Sequence, residues 1–295
     1  MSDAKIQAQQ AQKHEPSPIL DENQNVVATP SFYRENLDEI NDTARTLLEK
    51  YSGIAPERVI QHVKDVRDRA YAVFPYPCIG MFSFLDLDLP LSPCYNEIVD
   101  RVKKGDKFLD LGCCFGQEIR QLAHEGVPHS NIYGSDLSPD FINLGYELFL
   151  DRDKLRGVQF IPSDIFDDNA ALFHQLGGQI DIVHASNFFH LFDRDTQVQV
   201  AKRVVTKLLR DRPGALIVGT QVGGKNPQHY TWEKQGKKLF IHDTATWKEM
   251  WEQVGRETGM RFKVEAFERE FLEQEGQQFQ GMEDMFRLFF TVRRE

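Results

Sequence analysis

From Lys107 onward the chain alternates between short apolar runs and helix-length segments, and this rhythm restricts the possible folds more than any other feature. The runs Phe108–Leu111, Ile132–Ser135, Val158–Ile161, Ile180–Ala185 and Ala215–Thr220 have strand length and strand composition. Between them lie the helix-length segments Gln117–Glu125, Pro139–Leu150, Ala170–Gln175 and Thr196–Arg210. Strands joined in this way by helices form a parallel sheet through right-handed crossovers. A helix over about 244–257, stopped by Gly259, then precedes the runs Phe262–Arg269 and Met285–Val292, which are placed to pair antiparallel. The expected fold is α/β: a Rossmann-like parallel sheet closed by a C-terminal antiparallel pair, occupying residues 105–295.

The preceding residues, 31–104, read as a helical cap. After Pro56, apolar residues at Val59, Ile60, Val63, Val66, Ala70 and Val73 mark one helix face, and the proline suits its first turn. Ser92-Pro93 is expected to open a second helix, with the serine as cap. Between the two, Phe74–Phe84 is broken by prolines and Gly80 and is apolar enough to be buried or to line a pocket, with Phe82 and Phe84 as its walls. Residues 1–30 are rich in Gln, Ala, Glu and Pro without periodicity and read as a mobile tail. The stretch 222–242 reads as a polar loop with aromatic residues, a lid insertion.

A net charge of −10 argues against a surface that tracks nucleic-acid phosphates. The four cysteines include the adjacent pair Cys113 and Cys114, and no paired Cys-x-x-Cys sites suggest a metal, so reduced thiols and no metal are expected. Met1–Gln12 lacks the apolar core of a signal peptide, and no apolar run reaches membrane-spanning length. A cytoplasmic monomer or homodimer without a membrane span is the expectation.

Asp110-Leu-Gly112-Cys-Cys-Phe-Gly116 joins the first strand of the α/β region to its helix. Such a turn can present backbone amides to a nucleotide. A dinucleotide turn of the form G-x-G-x-x-G would place glycine where Cys114 and Gln117 stand, and Asp110 would repel a diphosphate. S-adenosylmethionine carries an ammonium and a sulfonium instead, and an acid suits that cationic end. Asp136, ending the second strand, is placed to accept from ribose hydroxyls, with Leu137 against adenine and Ser138-Pro139 starting a capped helix. Asp164 and Ile165, after the third strand, fit the adenine amino group and ring, although an Asp there often only shapes a turn. Cys113 and Cys114 read as packing residues beside the cofactor.

These motifs resemble the class I S-adenosylmethionine-dependent methyltransferases. More narrowly, Phe108-Leu-Asp-Leu-Gly-Cys-Cys-Phe-Gly-Gln117, with Phe74-Pro-Tyr-Pro-Cys-Ile-Gly80, is similar to fungal methyltransferases of meroterpenoid biosynthesis. The departure from the general superfamily is Cys114, where glycine is usual. The resemblance implies O-methylation of a hydrophobic polyketide or terpenoid small molecule, with some members of the group esterifying a carboxyl. An NAD(P)-dependent reductase and a non-catalytic protein on a methyltransferase fold remain the alternatives at this point.

The acceptor side is expected after the fourth strand, in His184-Ala-Ser-Asn187-Phe-Phe-His190-Leu-Phe. Asn187 is placed to touch the cofactor and Phe188, Phe189 and Phe192 to touch the acceptor. His190 is the candidate base, against the plainer reading of a packed histidine. Tyr230 and Trp232 in the lid complete the expected acceptor contacts, and Lys225, Lys234, Lys237 and Lys238 read as either an attraction for an acidic acceptor or a solvated face.

Overall fold

A computed structural model describes residues 18–28, 32–232, 236–271 and 284–295. Its main sheet has seven strands in the order β10-β11-β7-β6-β3-β4-β5. These are β3 (Phe108–Leu111), β4 (Ile132–Ser135), β5 (Gln159–Phe160), β6 (Ile182–His184), β7 (Leu216–Gly224), β10 (Phe262–Arg269) and β11 (Met285–Arg294). The first five in chain order are mutually parallel, and β11 and β10 add an antiparallel pair beside β7. Chain order runs outward from β3 through β4 to β5, then returns to β6 on the other side of β3. That reversal opens a crevice at the carboxyl ends of β3 and β6, where open α/β sheets bind ligands.

Apolar side chains from both sheet faces build the core. One face carries Leu109, Val183, Ile217 and Leu288 against helices α8 (Arg194–Arg203) and α9 (Thr244–Thr258), whose Trp247, Met250, Trp251 and Val254 are buried. The other carries Phe108, Ile182 and Leu216 against α4 (Tyr95–Lys103) and α5 (Gln117–His124). Asp243 and Thr246 form a reciprocal cap at the start of α9, and Gly259, at φ 71°, ends it in the left-handed conformation that glycine adopts without strain.

The cap comprises α1 (Asp42–Thr46), running on as a π-turn over Leu47–Tyr51, then α2 (Pro56–Val73) and the short α3 (Pro77–Gly80). Val59, Val63, Val66 and Ala70 of α2 are buried against α6 (Pro139–Phe149), the helix that follows β4. Ser92 does not cap a helix: α4 begins at Tyr95, and the Ser92 hydroxyl instead accepts the Cys94 amide at 3.3 Å within a turn. Phe82 and Phe84 are core residues of the cap, not pocket walls. Phe82 lies under the Arg67 guanidinium at 4.0 Å, and Phe84 packs on Phe115 at 4.8 Å.

Two further expectations are corrected. Within the segment read as a tail, β1 (Ile19–Leu20) and β2 (Val26–Ala28) form a hairpin turned by Asp21, whose carboxylate accepts the Asn23 and Asn25 amides. The stretch read as a polar loop is a hairpin of β8 (Gln228–Trp232) and β9 (Lys237–Ile241), and the two hairpins join as a second sheet, β2-β1-β8-β9. Pairing over such a sequence distance satisfies backbone groups that local sequence would leave to water. Residues 1–17 and Lys234 lie outside the described residues.

Candidate active site

The glycine-containing turn latches β3 to β4. The Gly112 and Cys113 amides both donate to the Ser135 carbonyl, at 2.8 and 3.0 Å, and the Gly116 amide donates to Cys113 at 2.6 Å. The Cys114 amide donates to Asp136 Oδ2 at 2.9 Å, and Asp136 Oδ1 accepts the Ser138 amide at 2.9 Å. The expected display of free amides is therefore absent at these four residues, which suits a ligand without phosphate. Ser138 receives no cap of its own making; Asp136 closes the turn instead.

Gly112 (φ 74°) and Gly116 (φ 66°) are left-handed, and so is Cys114 (φ 49°), which holds a glycine-like backbone with a side chain attached. Its thiol packs toward the cap, and burial pushes both Cys113 and Cys114 well above the ordinary thiol range, so neither is a ready nucleophile. A Cβ at Gly112 would stand 2.7 Å from the ring of Phe188, and one at Gly116 would stand 2.6 Å from Arg120. Arg120 braces this turn: it donates to the Phe115 carbonyl at 2.7 Å while its other nitrogens hold Asp151 at 2.9 and 3.0 Å.

Asp136 lies at the turn's open edge. Burial raises its pKa, and the Ser138 and Cys114 amides pull it back. Its oxygens accept the Cys114 and Ser138 amides, the Leu137 amide also bonds to the carboxylate, and acceptor capacity remains for a further donor. Leu137 beside it is 69% exposed, an apolar surface at the rim. Asp164 is exposed, and its Oδ1 accepts the Phe166 amide at 2.9 Å in an Asx turn, leaving Oδ2 outward. Ile165 is buried in the main core beneath it. Above the turn, the cap's Tyr76 packs on Phe74 and Phe141, and burial and the charge of nearby Asp136 raise its phenol to about 12.

Asp110 does not face outward. Its Oδ1 meets His184 Nδ1 at 2.8 Å, both side chains being enclosed. Around this pair the structure gathers residues that sequence reasoning missed. Asp88, from the cap, holds Arg287 of β11, accepts the Thr220 hydroxyl at 2.6 Å, and accepts Asn187 Nδ2 at 3.3 Å. Glu118, on the first turn of α5, accepts the Asp88 amide at 2.6 Å. Burial and the charges of Asp88 and Asp110 push Glu118 up to about 8 against the pull of His184. A carboxylate-rich setting around a turn whose Gly112, Cys113, Cys114 and Gly116 amides are all engaged fits a cofactor that is cationic and rich in hydroxyls.

Of the acceptor-side expectations, Asn187 is exposed at the end of β6 in a left-handed conformation (φ 51°), its amide nitrogen donating to Thr220 at 2.7 Å. Phe188 lies across Gly112 and packs on Phe192 at 5.6 Å, and Phe192 packs on Phe166 at 5.5 Å, making an aromatic row beside the crevice. Phe189 is the exception. It is fully buried among Trp247, Trp251 and Phe290 and is a core residue, because the turn after β6 sends adjacent phenylalanines to opposite sides. Tyr230 is likewise a core residue, of the small sheet, packed with Ile19 and Ile241. Trp232 packs on Phe32 at 5.3 Å, tying the β8–β9 hairpin to the cap. His190 keeps Nδ1 buried without a hydrogen-bond partner among the described residues, and burial lowers its pKa to about 4. It is a poor base at neutral pH.

A parallel sheet with this strand order and a reversed final pair, carrying an acid-flanked turn at its switch point, is the architecture of a class I S-adenosylmethionine-dependent methyltransferase. Comparison with known proteins agrees. Residues 109–215 match a methyltransferase domain family, and residues 32–85 match the meroterpenoid methyltransferase N-terminal domain. The chain is 49% identical to methyltransferase adrK of Penicillium roqueforti over 81% of its own length and 86% of that protein's. It is 47% identical to the asnovolin E/chermesin D methyltransferase nvfJ of Aspergillus novofumigatus, over 79% and 83%. It is 44% identical to the O-methyltransferase phiE of a fungal species, over 81% and 80%. The chain belongs to the meroterpenoid methyltransferase family and is an S-adenosylmethionine-dependent enzyme. The reductase and the non-catalytic alternative are set aside. Among the described residues no helix is long and apolar enough to cross a membrane.

Proposed function

We propose that this enzyme methylates a carboxylate oxygen of a hydrophobic terpenoid or polyketide acceptor. The observation that carries this reading is His190: the one imidazole in the expected acceptor segment beyond β6 is held neutral and weakly basic by burial. A carboxylate arrives ionised at neutral pH and needs no base, whereas an alcohol or phenol benefits from one. The aromatic row Phe188, Phe192 and Phe166 suits an apolar acceptor skeleton.

S-adenosylmethionine supplies an electrophilic methyl group on sulfur. The protein's own contribution is alignment and exclusion of water. In this reading Asp136 accepts from the ribose hydroxyls, Leu137 and Ile165 flank the adenine, and Asp164 accepts from its amino group through Oδ2. Gly112, Cys113, Cys114 and Gly116 shape the surface beneath the cofactor. Asp110 acts on the cofactor's cationic end through its field rather than by contact, since its Oδ1 is taken by His184. Asn187 stands between cofactor and acceptor.

The β8–β9 hairpin serves as the lid. The Phe240 amide donates to the Phe192 carbonyl at 2.9 Å, and Lys237 lies over Phe74 of the cap at 5.5 Å, so the hairpin spans from the acceptor wall to the cap. The test is to incubate the enzyme with methyl-labelled S-adenosylmethionine and acidic terpenoids, then treat the product with mild base. Release of the label as methanol supports a methyl ester; a base-stable ether contradicts it.

A further inference from the structure

Asp110 of β3 and His184 of β6 are register partners, and Thr220 of β7 and Arg287 of β11 follow in a stagger along the same face of the sheet, with Asp88 and Glu118 closing over them. A chain of contacts leads out of this enclosed group. Asp110 Oδ1 meets His184 Nδ1 at 2.8 Å, His184 Nε2 meets Ser186 Oγ at 2.8 Å, and Ser186 Oγ also accepts the Thr220 amide at 3.1 Å. Asp110 and His184 are buried, but Ser186 is only half-buried. It stands one residue before exposed Asn187 and two before Phe188, whose ring covers Gly112. The chain thus ends in a hydroxyl where the cofactor turn meets the aromatic row.

The proton on His184 decides what that hydroxyl can do. Nδ1 faces a carboxylate and carries a hydrogen in either state. If the ring is neutral, Nε2 accepts the Ser186 proton, and the hydroxyl is spent inward. That is the state in which such a contact order activates a nucleophilic serine. If the ring is charged, Nε2 donates, and Ser186 Oγ accepts from both Nε2 and the Thr220 amide. Both lone pairs are then filled, and the hydroxyl proton can only point away from them, toward the open side.

The groups facing His184 favour the charged ring. Burial lowers its pKa, but the charge and hydrogen bond of Asp110 from β3, with the charge of Asp88 from the cap, outweigh burial and raise it; Glu118 from α5 adds to this only once it ionises, above pH 7. Charge balance agrees: Asp88 is matched by Arg287, Glu118 is largely neutral at pH 7, and Asp110 is matched only if His184 is protonated. The geometry points to Ser186 as the donor that receives an anionic acceptor, its hydroxyl held outward by the buried Asp110–His184 pair to meet a carboxylate oxygen. This rests on the carboxylate reading above. Ser186 touches the acceptor, while His184 and Asp110 are positioning residues.

The full chain, labelled with 15N-histidine and loaded with S-adenosylhomocysteine, is followed by NMR from pH 6 to 9, with His184→Gln to assign the signal. Both ring nitrogens of His184 are expected to be protonated at pH 7.5; a neutral ring there overturns the proposal. In parallel, farnesoic acid and farnesol are titrated into loaded wild type and Ser186→Ala. Wild type is expected to prefer the acid. The variant should lose about tenfold in affinity for the acid, the scale of one hydrogen bond to a charged group, and nothing for the alcohol. S-adenosylhomocysteine affinity should be unchanged, which also reports that the variant folds; if it is lost, Ser186→Thr must restore both, or the proposal fails.

An acid preference that survives in Ser186→Ala removes the role of Ser186 and leaves the carboxylate reading standing. A wild type without any preference for the acid overturns the proposal. Methylation of farnesol and not of farnesoic acid overturns the carboxylate reading itself, while the NMR titration still reports the state of His184.

Discussion

Replacing Arg120 by methionine should cost more stability than any surface change. Arg120 is enclosed, as is its partner Asp151, and the pair is bidentate at 2.9 and 3.0 Å. Tyr146, Phe149 and Phe160 surround the guanidinium at 5.2, 5.0 and 5.4 Å, so no water replaces it. Among the described residues, the methionine would leave Asp151 with only the Tyr51 hydroxyl, at 2.8 Å, as a side-chain donor. An uncompensated buried carboxylate of this kind costs about 3–5 kcal/mol. At about 2–4 °C per kcal/mol for a chain of this size, the melting temperature should fall by roughly 10 °C. The same change removes the donor to the Phe115 carbonyl, so S-adenosylhomocysteine binding should weaken too. Urea unfolding followed by tryptophan fluorescence measures the first effect, and calorimetry the second. Arg120→Met combined with Asp151→Leu should recover most of the loss, since removing both charges leaves none unpaired. A single-variant cost below about 1 kcal/mol, or a double variant no better than the single, would refute this reasoning.

Gly112→Ala should abolish measurable S-adenosylhomocysteine binding, because its Cβ would meet Phe188 at 2.7 Å on a left-handed backbone; a calorimetric titration like that of wild type would contradict this. His190→Ala should keep turnover within about tenfold of wild type, a loss smaller than removal of a general base brings. Its rate profile between pH 6 and 9 should keep the shape of wild type's, since His190 titrates well below that range, and a much larger loss would restore His190 as a base. Glu118 has a folded pKa of about 8 against an ordinary 4.5, so the folded state holds an extra proton between those values. Its contribution to stability is present at low pH and lost as pH rises through that window. Glu118→Gln keeps an acceptor for the Asp88 amide and should flatten the fall in melting temperature between pH 6 and 8.5; an unchanged slope would count against the neutral carboxyl.

The parallel strands and their helices were legible because apolar runs are bounded by turn residues, as with Phe108–Leu111 between Gly105 and Gly112. The two hairpins were not legible. Ile19–Leu20 is only two residues long, and its partner Thr231-Trp232 lies more than 200 residues away, where no local pattern reaches. Asp136 and Asp164 could be nominated for the nucleoside from their place after strands, but the partner of Asp110 could not be read, because His184 is on another strand. Asp88 and Arg287 meet across 199 residues, and neither stands in a motif. The adjacent pair Phe188 and Phe189 shows the same limit at short range: composition cannot tell which ring faces the crevice and which the core. From sequence, Cys114 is an easy substitute for glycine only on an ordinary backbone, and its φ of 49° shows that the condition is not met: it keeps the strained backbone that glycine would relieve.

The most direct measurement is calorimetric titration of S-adenosylhomocysteine into wild type and Asp136→Ala, with folding of both checked by circular dichroism. Wild type should bind one equivalent. The variant, lacking two hydrogen bonds from ribose to a charged acceptor, should bind at least about a hundredfold more weakly. A folded wild type that ignores the ligand, or a variant that binds it equally well, would contradict the placement of the cofactor on the Gly112–Asp136 edge.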